Sequence, residues 1–250
     1  MSLRTDRIEV SSDGIALACS AVIPKRPRGV VVLLHGIPTV QPPDPDDAGY
    51  PGWAEVLAGR GWLSAWADMR AVRGSAGYFT MEGWVRDCAA IVAAVRGRPE
   101  TRGHRLALIG SSAGGCVAAE SVRRGASVDA LGLLAAPAAW LSFADGGHAG
   151  VARVTQEAGM AVAPEVVEDP TSWASEFDSI TTRDAISHVQ VPTLIVHGTA
   201  DDVVPVEHAH LIAREAPAAE LEIIEGAGHR LRGDERARRL IDSWLDRTLG

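Results

Sequence analysis

Cysteine is scarce in this sequence, with three residues among 250. Cys19, Cys88 and Cys116 are odd in number and widely spaced, so they indicate neither a disulfide framework nor a zinc motif. His208 and His210 stand two residues apart, and on a helix this spacing sends the two rings to different faces. We therefore expect buried reduced thiols, no metal and no cofactor.

The sequence also lacks long basic runs and long apolar runs. The net charge is -8 and the arginines are scattered, which makes nucleic acid and acidic lipid unfavourable partners. The longest apolar segment, 130–141, is too short to span a bilayer, and residues 1–10 lack the apolar stretch of a signal peptide. We expect a cytoplasmic protein with no membrane partner.

The composition that remains is that of a globular domain, 46% hydrophobic and 22% charged. A chain of this length buries roughly 70 to 75% of its unfolded surface, which suits one sizeable domain. Short runs rich in Val, Ile and Leu are the strand candidates: 29–36, 62–68, 105–111, 130–136, 193–198 and 221–226. Most lack polar alternation, which is typical of strands covered on both faces in a parallel sheet.

Helical patterns separate these strands, at 52–60, 81–96, 113–124, 206–215 and 234–249. Parallel strands require such crossover helices. Before them, Ser12-Asp13-Gly14 is a turn signal for an antiparallel hairpin. The predicted fold class is α/β, with a mostly parallel central sheet and helices on both faces.

Residues 137–188 carry no strand signal and are predicted to form a small helical cap, inserted between core segments 1–136 and 189–250. Five large apolar side chains are expected to form the cap's own core: Trp140, Phe143, Met160, Trp173 and Phe177. Trp140 and Trp173 are also candidates for substrate contact. Residues 42–52 are predicted to form a long, turn-rich loop after a strand.

The segment Gly110-Ser111-Ser112-Ala113-Gly114 has the G-x-S-x-G pattern between a predicted strand and a predicted helix. A tight turn there lifts the Ser112 hydroxyl above the sheet edge, beside free backbone N–H groups at the helix start. Glycines bracket Ser112 and do not bracket Ser111. A glycine-rich turn with a purely structural role is the alternative.

A serine nucleophile needs a base, and the base needs an orienting group. Asp201 and Asp202 follow one predicted strand and His229 follows the last one, giving the order Ser, Asp, His of G-x-S-x-G hydrolases. The alternatives are a helix cap for the aspartates and a surface role for His229. His35 and His197, each before a glycine, are interpreted as structural hydrogen-bonding residues.

These motifs resemble those of the α/β-hydrolase fold family over nearly the whole chain. The resemblance rests on 34–36 (LHG), 110–114 (GSSAG), 197–201 (HGTAD) with Val204-Pro205, and 226–229 (GAGH). It implies that Asp201 is the acid and Asp202 its neighbour. It also implies that the backbone N–H groups of Ile37 and Ala113 form the oxyanion hole.

Residues 67–79 depart from the family pattern, because Ala71 and Arg73 stand where glycines are common. Arg70 and Arg73 are candidates for binding an acidic group of the substrate. A surface ion pair with Asp68 or Glu82 is the more frequent outcome for such arginines.

The expected function is hydrolysis of a small carboxylic ester through Ser112, His229 and Asp201, with a small-molecule acyl compound as the partner. Thioesters and peptides use the same apparatus, and a homodimer is compatible with the sequence. Other chemistries on the same fold are aminopeptidase and carbon–carbon bond hydrolase activity. A ligand-binding protein without catalysis is the rival from another class, which a damaged triad would have favoured.

Overall fold

A computed structural model describes residues 3–38, 47–140, 147–216 and 218–250. Phe143 and residues 42–46 of the predicted loop lie outside these ranges. The strands of the described ranges are β1 (Leu3–Ser12), β2 (Ile15–Pro24), β3 (Gly29–Leu34), β4 (Trp62–Ala67), β5 (Leu106–Ser111), β6 (Ala130–Leu134), β7 (Thr193–Gly198) and β8 (Glu220–Ile224).

These strands form one sheet in the order β1-β2-β4-β3-β5-β6-β7-β8. β1 and β2 form the predicted hairpin around Asp13 and Gly14, with Ser12 paired to Ile15, and β2 is antiparallel to β4. All other neighbours are parallel. The carboxyl ends of β3, β5, β7 and β8 therefore lie along one edge of the sheet.

The α-helices of the described ranges are α1 (Gly49–Gly59), α2 (Met81–Arg96), α3 (Ala113–Arg123), α4 (Gly147–Glu157), α5 (Pro164–Glu168), α6 (Ala174–Ser179), α7 (Thr182–Ile186), α8 (Glu207–Glu215) and α9 (Glu235–Leu249). Thr80 begins α2 as its N-cap, because its hydroxyl accepts a hydrogen bond from Gly83 N at 2.8 Å. Within the described ranges, no helix is long and apolar enough to cross a membrane.

Helices cover both faces of the sheet, and β3 shows why. All six of its residues are buried, and their side chains alternate between two hydrophobic clusters. Val30, Val32 and Leu34 share a cluster with residues of α2 and α3. Val31 and Leu33 share the other with residues of α1 and α9. The predicted α/β class and mostly parallel sheet are confirmed.

Helices α4 to α7 lie between β6 and β7, where the cap was predicted, and no strand occurs among the described residues there. Trp173 and Phe177 are in ring contact at 5.5 Å, and Trp140 stacks edge-on against Phe177 at 4.9 Å. Phe79, which precedes α2, contacts Trp173 at 5.3 Å. The aromatic cluster of the predicted cap is therefore continuous with residues that precede α2. The boundaries at 137 and 188 stay a prediction.

Arg70 lies in a buried ion-pair network on the hairpin side of the sheet. Its guanidinium bonds the Asp87 carboxylate at 2.7 Å and the Asp13 carboxylate at 2.8 Å. The Asp87 side chain is fully buried and that of Arg70 is 7% exposed. The network thus fastens the β1–β2 turn and the loop after β4 to α2.

Replacing Asp87 with Ala should lower the free energy of unfolding by about 3–5 kcal/mol, because it leaves the buried Arg70 charge without its main partner. Urea denaturation monitored by tryptophan fluorescence measures this change. The control is Glu157→Ala, which breaks an exposed pair with Arg153 and should cost less than about 0.5 kcal/mol. Equal losses for the two variants would contradict the interpretation.

Candidate active site

Ser112 is the single residue between the end of β5 and the start of α3. Its φ is 52° and its ψ is -126°, a backbone conformation that L residues rarely adopt and that costs of order 1–3 kcal/mol. Its N–H donates to Leu134 O at 2.8 Å, and its C=O accepts from Gly115 N at 2.8 Å. Neighbouring structure thus holds the strained turn, which carries the hydroxyl at the sheet edge.

The loop after β3 lies directly against this turn. A Cβ atom on Gly36 would be 2.8 Å from Ser112 Cβ and 3.3 Å from Ala113 N, so only glycine allows this approach. Ile37 follows Gly36 and lines the same cavities as Ser112. Among the described residues, neither Ile37 N nor Ala113 N donates a hydrogen bond to a backbone carbonyl. Both belong to segments that adjoin the turn at Ser112.

His35 fastens the loop after β3 to the loop after β4. Its Nε2 accepts from Met69 N at 3.0 Å, so Nδ1 carries the proton and donates to Gly36 O at 2.7 Å. Burial lowers the pKa of His35 to about 4, which keeps the ring neutral near pH 7. Its role here is structural.

Asp201 and His229 are brought together by the loops after β7 and β8. His229 Nδ1 lies 2.8 Å and 3.0 Å from the two carboxylate oxygens of Asp201. A carboxylate accepts, so Nδ1 carries the proton, and Nε2 of the neutral ring is left with a free lone pair. This is the tautomer that a general base at Nε2 requires.

The carboxylate of Asp201 is itself held by further donors. Its Oδ1 accepts from Val203 N at 3.0 Å and from Val204 N at 2.8 Å, and its Oδ2 lies 3.2 Å from His197 Nε2. Burial alone would raise the pKa of Asp201, but hydrogen bonds from the two histidine rings and from Val204 N outweigh it. They hold that pKa well below its usual range, so the side chain is an anion at neutral pH.

Ser112 and His229 line the same cleft, which has two lobes. The shared wall of the lobes is formed by Ile37, Pro38, Ser112, His229 and Arg230. Among the hydrogen bonds of the described residues, none joins the Ser112 hydroxyl to the His229 ring. Such bonds are often long in free enzymes and shorten in complexes with substrate.

The two lobes differ in chemistry. The polar lobe, of about 470 Å³, is lined among others by Asp47, Tyr50, Trp66, Asp68, Arg73 and Arg232. The apolar lobe, of about 480 Å³, is lined among others by Ala113, Trp140, Val151, Val154, Thr155 and Val203. Both volumes suit a small-molecule group.

Two of the four candidates for substrate contact line the described cleft, and two do not. Arg73 lines the polar lobe, where its Nε donates to Asp68 at 3.0 Å, the ion pair expected of a surface arginine. Trp140 lines the apolar lobe. Arg70 lines neither lobe, because Asp87 and Asp13 hold it in the buried network. Trp173 also lines neither, because it is buried in the aromatic core of the cap. The structure thus places Arg70 and Trp173 outside the described cleft, where their contacts are structural.

Sequence reasoning missed several residues of the cleft. Val151, Val154 and Thr155 lie on α4 at the i, i+3, i+4 spacing of one helix face, a signal that the sequence did carry. Arg232 bonds Asp47 at 3.2 Å and lies over the Tyr50 ring at 5.0 Å. No local pattern indicates that contact, since Arg232 and Asp47 are 185 residues apart.

No metal centre is evident in the part of the chain that the structure describes, where no group of three His, Cys, Asp or Glu side chains is placed to hold an ion. His208 is buried, and its Nδ1 accepts from Ala138 N at 2.9 Å. That nitrogen is therefore already engaged.

Comparison with known proteins decides the family. Residues 53–250 match the model of the prolyl oligopeptidase family. The chain belongs to the prolyl oligopeptidase family. Among curated relatives of this family member, an uncharacterized protein of Mycobacterium tuberculosis is 40% identical over 60 residues, which are 23% of this chain and 18% of the relative. The chain spans about a fifth of the length of the curated relatives it matches.

Solved structures share the fold of this prolyl oligopeptidase family member. An esterase from Pyrococcus furiosus is 20% identical with a TM-score of 0.71, covering 99% of this chain and 94% of the esterase. A meta-cleavage product hydrolase from Pseudomonas fluorescens is 18% identical with a TM-score of 0.66, covering 97% and 98%. At these identities the likeness shows the fold alone. The predicted α/β-hydrolase fold is confirmed.

The loops that carry Asp201 and His229 are bonded to each other. Ala200 N donates to Ala227 O at 2.9 Å, and Gly226 N donates to the Thr199 hydroxyl at 2.8 Å. Gly198, at the end of β7, lies so close that a methyl group there would overlap the carbonyl of Ala227. The position of His229 relative to Asp201 thus depends on this close approach.

Replacing Gly198 with Ala should lower the free energy of unfolding by about 1–3 kcal/mol, because the added methyl forces the two loops apart. The midpoint of urea unfolding measures the effect. Gly233→Ala is the matched control, since a methyl group there meets nothing within 4 Å. An unchanged midpoint for Gly198→Ala would show that the loops separate at no cost.

Proposed function

We propose that this protein is a serine hydrolase that cleaves a small carboxylic ester through an acyl-enzyme intermediate. The observation that carries the proposal is that Ser112, on a strained turn, and His229, held by Asp201, line one cleft. A nucleophile, a base and an orienting carboxylate at a single cleft are the groups that acyl transfer requires. The esterase fold of the Pyrococcus furiosus neighbour supports this choice.

The proposed reaction begins with proton transfer from the Ser112 hydroxyl to Nε2 of His229 as Oγ attacks the carbonyl carbon. The oxyanion that forms accepts hydrogen bonds from Ile37 N and Ala113 N. The imidazolium is stabilised by Asp201 and then protonates the leaving alcohol. Water, activated by the same ring, attacks the acyl group, and the proton returns to Ser112 Oγ as that bond breaks.

The shape of the cleft supports a substrate with unlike ends. We place the acyl chain in the apolar lobe, since that lobe includes both Ala113 and the valines of α4. The alcohol portion then occupies the polar lobe. Each lobe has room for a group of modest size, which favours small esters over long polymers.

Replacing Ser112 with Ala should lower kcat/KM for p-nitrophenyl acetate by roughly 10⁴-fold or more, because the nucleophile is lost. A fluorophosphonate probe should label the wild-type protein and leave Ser112→Ala unlabelled. Ser111→Ala is the control, and it should be labelled like the wild type. Activity that survives in Ser112→Ala would exclude this nucleophile. An unlabelled wild-type protein would favour the binding-only alternative.

Replacing Val154 with Trp should shorten the preferred acyl chain, because the indole fills part of the apolar lobe. We expect kcat/KM for an octanoyl ester to fall about 10-fold or more relative to the acetyl ester. Val167→Trp on α5 is the control, because Val167 is 47% exposed and lines neither lobe. An equal fold-decrease in kcat/KM for the two esters would show that the acyl chain does not bind in this lobe.

Peptide hydrolysis is the second candidate, and the family match favours it. An aminopeptidase needs an acidic anchor for the substrate amine. Among the described residues of the cleft, Asp47 and Asp68 are ion-paired with arginines, whereas Asp202 is exposed at the apolar lobe. An unblocked amino-acid anilide tests this reading. Preference for the anilide over the matched ester, with loss of that preference in Asp202→Asn, would support the peptidase.

A further inference from the structure

His197 is the last but one residue of β7, and its side chain is fully buried. It lines neither lobe of the cleft. Its Nε2 lies 2.8 Å from Val204 O and 3.2 Å from Oδ2 of Asp201. Two imidazoles therefore lie within hydrogen-bonding distance of the same carboxylate, that of His197 from the interior and that of His229 from the cleft.

The hydrogen bonds define which nitrogen of His197 carries the proton. A carbonyl oxygen only accepts, so Nε2 is protonated and donates to Val204 O, and Oδ2 of Asp201 lies 3.2 Å from the same nitrogen. Nδ1 is buried and has no hydrogen-bond partner in the described part of the chain. An unsatisfied buried polar atom costs about 1–3 kcal/mol, so this ring is not optimal for stability.

We propose that His197 is a positioning residue for the proposed catalytic pair. Its N–H holds the Asp201 carboxylate in the orientation that receives His229 and takes a share of the carboxylate's charge. His197 thereby influences how strongly the Asp201 carboxylate binds the His229 ring. This inference rests on the proposed function, because it assigns His197 to the same site.

The donors around Asp201 show why the second ring matters. Oδ1 is held by two backbone N–H groups, whereas Oδ2 is held by His229 and His197. Among the described residues, His229 and His197 are the donors at Oδ2, so loss of His197 leaves His229 alone there. Val204 connects the two side chains, because its N–H donates to the Asp201 carboxylate and its C=O accepts from His197.

Other titratable groups near the pair do not replace this donor. His208 on α8 accepts at Nδ1 from Ala138 N, and burial lowers its pKa, so it is neutral near pH 7. Glu207 and Asp202 are acidic and donate nothing when ionised. Arg230 lies on the shared wall of the cleft, on the side of His229. His197 is thus the donor that reaches Oδ2 from the interior of the described structure.

The test compares His197→Phe, which keeps a planar ring without a donor, with His197→Gln, whose amide nitrogen reaches the position of Nε2. For His197→Phe we expect kcat to fall about 10- to 100-fold, because the carboxylate loses its fixed orientation. KM should stay within about twofold, because the residue lines neither lobe. His197→Gln should recover most of kcat.

The pH–rate profile separates positioning from a merely structural role. When His197 no longer shares the carboxylate's charge, that charge acts on His229 alone and stabilises its protonated form. The acid limb of the profile should then move to higher pH in His197→Phe, by about half a pH unit or more, and return in His197→Gln. A lower kcat with an unmoved acid limb, after correction for active protein by fluorophosphonate titration, would overturn the proposal.

A second readout does not depend on turnover. The ring ¹⁵N signals of His229, followed by NMR between pH 4 and pH 9, should titrate at higher pH in His197→Phe than in the wild type. If the two proteins differ in this way but the wild type cleaves no ester, the proposed function fails and the positioning role of His197 stands. If the Phe variant does not fold, His197→Asn replaces it, because its shorter amide cannot reach Asp201. Identical titrations in Asn, Gln and wild-type proteins would reject the inference.

Discussion

The buried carboxylate of Asp201 is the constraint on which the rest of the site depends. A charge in the interior is unfavourable unless donors surround it, and here they come from two histidine rings and two backbone N–H groups. Meeting that requirement fixes the loop after β7 and, through His229, the loop after β8. The anion therefore organises two loops before any substrate is considered.

The sheet makes this arrangement accessible to Ser112. β5, β6, β7 and β8 are parallel neighbours, so the residues that follow β5, β7 and β8 emerge at one edge. The loop after β3 reaches the same edge from the other side of β5. Residues that are more than 100 positions apart in sequence, such as Ser112 and His229, thus share a cleft. Backbone topology supplies the proximity, and side-chain hydrogen bonds refine it.

Much of the fold was predictable, because its signals are local. The strands β3 to β7 are mostly apolar runs with clear ends, and the turn at Ser112 follows from one strand, one helix and two glycines. The buried ion-pair network of Arg70 was not predictable, because its partners Asp87 and Asp13 lie 17 and 57 residues away in the sequence. Charge and spacing do not indicate such pairs. His197 shows the same limit, because its motif indicates a structural histidine without indicating which oxygen it bonds.

The left-handed backbone of Ser112 has an evolutionary consequence. Glycine would relax this conformation without strain, whereas serine stores of order 1–3 kcal/mol there. A population of variants selected for thermal resistance alone would therefore tend to lose the hydroxyl. The strain that the serine keeps at this position is offset by the packing of the remainder of the core.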